Sequence, residues 1–108
     1  MSLPKSPETD MLFQAVLSLK DEKECYAFFE DICTMKEIRD LSQRLQVALL
    51  LSKGIIFTEI SAKTGASSAT ISRVNRSLNY GPGGYDIVIK RLLDNSGDIV
   101  DISGDNPG

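Results

Sequence analysis

The stretch "TGASSATISRVNRSL", Thr64 to Leu78, decides the fold. It sets one glycine, Gly65, ahead of a run of small hydroxylated residues, and then places apolar Ile71, Val74 and Leu78 at helical spacing. Gly65 reads as the turn of a helix-turn-helix unit, whose two helices cross steeply and touch through few side chains. Counted from that glycine, the first helix has to bury the residue five earlier, which is Ile60. Four earlier a small residue is needed for close approach, and Ser61 stands there, where alanine is more usual. The second helix has to bury the residues six and nine later, Ile71 and Val74, while Ala66 fills the apolar position after the turn. Each tested position carries a residue of the required type.

The remaining positions of the second helix face outward: Ser67, Ser68, Ala69, Ser72, Arg73 and Arg76. Ser67 or Ser68 can cap the helix by accepting a hydrogen bond from a free backbone N–H. That end carries the positive pole of the helix dipole and suits phosphate oxygens. Small side chains there allow entry into a major groove about 12 Å wide, while arginines reach guanine edges or phosphates. These six residues, with Lys53 and Lys63 near the flanking backbone, are therefore the expected DNA-binding set. The plainer reading is a helical hairpin whose arginines are merely solvated.

Around this unit the chain reads as all-α, with about six helices. Residues 1–9 hold two prolines and are expected to be a flexible arm. Helical spacing of apolar residues marks Met11–Leu19 and then, after "KDEKE", Tyr26–Cys33. Thr34 followed by Glu37 forms a capping-box pattern that opens a longer third helix, closed by Gly54. Ile55, Ile56 and Phe57 read as a buried connection between helices rather than a strand. Thr58 opens the fourth helix, residues 67–79 form the fifth, "NYGPGG" breaks it, and 85–93 form a sixth. The expected organisation is an arm over 1–9, a helical domain over 10–94 with its helix-turn-helix at 58–79, and a mobile acidic tail over 95–108.

The net charge of −3 is unevenly spread. Residues 53–91 carry Lys53, Lys63, Arg73, Arg76, Lys90 and Arg91 against Glu59 and Asp86, a local +4. Residues 92–108 carry Asp94, Asp98, Asp101 and Asp105 and no base. An acidic total therefore does not exclude a nucleic-acid surface, because attraction depends on the local patch. No apolar run approaches the roughly 20 residues that span a bilayer, and the N-terminus lacks a signal-peptide core. A cytoplasmic protein without a membrane partner is expected. With no histidine, no phosphate-binding glycine loop and no nucleophile beside a base, no enzymatic activity is expected. Cys25 and Cys33, eight apart, do not make a zinc spacing; no metal site is expected, and both read as small buried apolar residues.

Three segments together resemble the tryptophan repressor family, and more closely its tryptophan-repressor-related, YerC-type branch. They are "TMKEIRDLSQRLQV" (34–47), "EISAKTG" (59–65) and "SSATISRVNRSL" (67–78), the last being the most specific. The resemblance spans residues 11–93 and implies an intertwined homodimer presenting two helix-turn-helix units to double-stranded DNA. It also implies a ligand pocket. In the founding member, tryptophan lies between two arginines matched here by Arg44 and Arg73, and Thr34 and Ser77 match residues that hold its polar ends. One position departs: the glycine after the second arginine is here Val74. Three extra carbons fill space the indole ring needs, and overpacking costs about 1–3 kcal/mol. No cofactor is therefore expected; a small-molecule effector is open, with L-tryptophan disfavoured. Without the ligand, Arg44 reads as an ion pair with Asp40 or Glu37 on its own helix, and Thr34 as a cap. The function expected is a sequence-specific DNA-binding regulator, a repressor not controlled by tryptophan. The alternative is a helical dimeric module for protein interaction, with weak or no DNA binding.

Overall fold

In a computed structural model, residues 3–96 are described, and among them lie six helices and no strand. The chain divides after Ile38 into two compact units.

The first unit opens with α1 (Pro7–Leu17). Ser6 accepts the Thr9 N–H at 3.1 Å, and Pro7 occupies the first turn, where its missing N–H costs nothing. These two residues start the helix inside the stretch expected to be a flexible arm. Helix α2 (Glu22–Ile32) is capped by Asp21, whose carboxylate accepts the Glu24 N–H at 2.9 Å. The charged "KDEKE" is thus mostly a helix start. Phe28 and Phe29 meet edge to face, with ring centroids 5.5 Å apart. Neither helix holds a buried residue. Cys25 is consequently exposed and Cys33 half-buried, which corrects their expected place in a core. An open cleft of about 420 Å³ runs beside Met11, Leu12, Ala15, Phe28 and Ile32.

Helix α3 (Met35–Ser52) begins in this unit with the expected capping box. The Thr34 N–H donates to Glu37 Oε1 at 2.8 Å, and the Glu37 N–H donates to Thr34 Oγ1 at 3.1 Å. The helix continues into the second unit and ends at a turn containing Gly54, which takes a positive φ of 80°.

The core of the second unit is built on the end of α3. Val47, Ala48, Leu49 and Leu50 are buried together with Ile60, Ala66, Ile71, Val74 and Ile89. Four consecutive buried residues on one helix mean that it is covered on all sides there. Helix α4 (Phe57–Thr64) follows a short connection. Ile56 is 65% exposed and serves as the N-cap, while Phe57 is the first helical residue and also exposed. The buried connection expected at 55–57 is therefore limited to Ile55, which packs against the core. Thr58 lies inside α4 rather than capping it. Helix α5 (Ser68–Tyr80) and helix α6 (Gly84–Ser96) complete the unit, α6 running past the sixth helix expected at 85–93. Asn95 and Ser96 of the expected tail belong to α6, and the rest of that tail lies outside the described residues. No helix among the described residues is long and apolar enough to cross a membrane.

Candidate nucleic-acid interface

The turn between α4 and α5 forms as the glycine spacing requires. Gly65 ends α4 with φ +75°, a left-handed conformation in which a side chain costs energy, and its N–H donates to the Ser61 carbonyl at 2.9 Å. Ile60, Ala66, Ile71 and Val74 are all buried, and Leu78 packs against them. Ser61 does more than stay small: its hydroxyl donates to the Ala66 carbonyl at 2.9 Å, bridging the turn. Thr64 adds two further ties. Its hydroxyl donates to the Ile60 carbonyl at 2.8 Å and accepts the Ala66 N–H at 3.1 Å. Gln43 of α3 donates its side-chain amide to the Thr64 carbonyl at 3.2 Å, holding the end of α4 from outside. Spacing rules do not reach these polar ties, because they depend on side-chain rotamers and on contact between residues distant in sequence.

Helix α5 is divided cleanly by face. Ser67 caps it by accepting the Thr70 N–H at 3.1 Å, and its hydroxyl also donates to Thr70 Oγ1 at 3.1 Å. Ser67, Ser68, Ala69, Ser72, Arg73 and Arg76 are all exposed, Ala69, Arg73 and Arg76 opposite the buried Ile71 and Val74 and Ser67 and Ser68 at the helix start. Among the described residues, no ion pair or side-chain hydrogen bond engages Arg73 or Arg76. No acidic residue occurs from Ser67 to Tyr80. The exposed face of α5 thus carries small side chains at its start and two guanidinium groups farther along.

The two lysines differ. Lys53 is exposed just after α3. Lys63 lies 3.7 Å from the Glu59 carboxylate one turn earlier on α4, and its side chain is only 16% exposed. It serves its own helix before it can serve a phosphate.

Of the four residues matched to the ligand pocket, Thr34 belongs to the first unit and Arg44, Arg73 and Ser77 to the second. Thr34 is engaged in the α3 capping box of the first unit. In the second unit, Ser77 lines an open apolar cavity of about 480 Å³ with Leu45, Pro82, Gly84, Tyr85 and Val88, which neither Arg44 nor Arg73 lines. Arg44 is half-buried, and no ion pair or side-chain hydrogen bond engages it among the described residues, so the anticipated pairing within its own helix is not formed. Val74 is 2% exposed and belongs to the core between α4 and α5.

Comparison with known proteins agrees with this architecture. Residues 7–93 match the family described as Trp repressor protein. The uncharacterized protein YerC of Bacillus subtilis (strain 168) is 51% identical over 88 residues, covering 82% of this chain and 85% of that protein. A crystal structure of a candidate Trp repressor from Staphylococcus aureus is similar with a TM-score of 0.79 at 46% identity, covering 82% of this chain and 88% of that one. A TrpR-like protein from Eubacterium eligens ATCC 27750 gives a TM-score of 0.81 at 55% identity, covering 89% of this chain and 95% of that one. With its matched region reaching from the start of α1 into α6 and its helix-turn-helix formed at Gly65, this chain belongs to the Trp repressor family, a family of DNA-binding regulators.

Proposed function

We propose that the protein is a sequence-specific DNA-binding transcriptional repressor, acting in the cytoplasm as an intertwined homodimer that presents α4 and α5 of each protomer to a major groove. One observation carries this reading: α5 buries Ile71 and Val74 while exposing Ser68, Ala69, Ser72, Arg73 and Arg76, with no acidic residue on the helix. A solvated hairpin needs no such segregation of charge. Dimerisation is supported by exposed apolar side chains at Leu41, Leu45, Ile87, Val88, Leu92 and Leu93, more than a small monomer ordinarily leaves in water.

We also propose that tryptophan does not control binding. The side chain of Val74 takes up space within the packed core, where a ring could enter only by displacing it. Calorimetric titration with L-tryptophan is expected to give no saturable heat, and micromolar binding would refute this part.

Electrophoretic mobility shifts with genomic DNA fragments at increasing salt test the main reading. Binding is expected at low salt and should weaken steeply as salt rises, because each neutralised phosphate releases counterions. No shift even at low salt would instead favour a protein-interaction module.

A further inference from the structure

The DNA-facing stripe of α5 does not end at Arg76. At about 100° per residue, Ala69, Arg73, Arg76 and Tyr80 follow one another at offsets of four, three and four, and so share one face. Tyr80 is 85% exposed, and among the described residues its ring and hydroxyl have no partner. It is set apart from the buried side of the helix, which runs through Ile71, Val74 and Leu78. Its place is also fixed. The helix remains wound through Tyr80 and stops at Gly81, whose N–H donates to the Ser77 carbonyl at 2.9 Å and where a Cβ would collide with that same carbonyl.

Length decides what Tyr80 can reach. From Ala69 to Tyr80 the helix rises about 16 Å, more than the major-groove width of about 12 Å. With the N-terminal end of α5 among the base edges and the helix directed across the groove, its last turn comes out over the sugar-phosphate backbone. A phenol there is suited to that position: its O–H donates to a phosphate oxygen, and its ring covers the adjoining sugar. We infer that Tyr80 is a positioning contact to the DNA backbone, its hydroxyl donating to a phosphate at the edge of the groove that α5 enters. This rests on α5 being the recognition helix.

The test uses the full-length protein, a duplex enriched from a random pool and a scrambled duplex of equal length. Wild type, Tyr80→Phe and Arg76→Ala are compared for dissociation constant across salt, for melting and for sedimentation. Tyr80→Phe is expected to weaken binding to both duplexes about tenfold, the contribution of one hydrogen bond to a charged acceptor. Its salt slope should match wild type because no charge is lost, whereas Arg76→Ala should lower the slope by about one. Melting and sedimentation of Tyr80→Phe should be unchanged. Wild-type affinity in Tyr80→Phe, a loss confined to the enriched duplex, or a loss tracking altered assembly would each overturn the inference while leaving the helix-turn-helix reading intact. A wild-type protein that binds neither duplex would overturn both.

Discussion

Gly65 and Val74 show how much single positions decide. At φ +75° Gly65 holds a backbone conformation that costs an L-residue about 1–2 kcal/mol, although nothing lies within 4 Å of the place a Cβ would take. Gly65→Ala is therefore expected to lower stability by about 1 kcal/mol through backbone strain alone, read as a shift in the urea midpoint at constant slope. A neutral result would mean that the turn relaxes to another conformation. Such positions were legible in the sequence because one glycine sets a frame in which Ile60, Ala66, Ile71 and Val74 fall at fixed offsets. The ties by Ser61, Thr64 and Gln43 were not, since hydroxyl and amide side chains suit a turn or a surface equally until the partner carbonyl is in reach. The Lys63–Glu59 pair is a further tie of this kind, since charges one turn apart on a helix show that they can meet but not that they do.

Helix α5 combines two roles in thirteen residues, anchoring by one face and offering arginines on the other. Because Arg73 and Arg76 are exposed and, among the described residues, no acidic partner holds either side chain, removing them should leave packing untouched. Arg73→Ala and Arg76→Ala are each expected to weaken DNA binding about tenfold or more with melting curves like wild type. Sharp drops in both melting temperatures would make these arginines structural and defeat their assignment to DNA. At element boundaries the sequence was legible where a side chain supplies the cap, as in the Thr34–Glu37 box and the Ser67 cap. It misled where no side chain does: α4 starts at Phe57 on an uncapped Ile56, so Thr58 looked like the opener. For α1, the cap of Ser6 followed by Pro7 was present but hidden among polar residues read as an arm.

Across the whole chain, charge and apolar surface are distributed unevenly. The acidic total conceals a basic segment that holds the helix-turn-helix, and under the proposed function it is this segment rather than the sum that meets a phosphate backbone. The first unit contributes two helices without a buried residue, and the second keeps Leu41, Leu45, Val88 and Leu92 in water. In the proposed homodimer a second copy covers these large apolar side chains, and two copies related by a two-fold axis carry two recognition helices. The proposed symmetry is only indirectly legible in the sequence, since a single sequence records which residues are apolar but not which chain covers them. It also fixes the form of the DNA. In vitro selection from a random double-stranded pool measures this directly: the protein is expected to enrich a palindrome whose half-site centres lie about one helical turn apart. Enrichment of no sequence, or of a single asymmetric site, would contradict a dimeric repressor that reads DNA through α5.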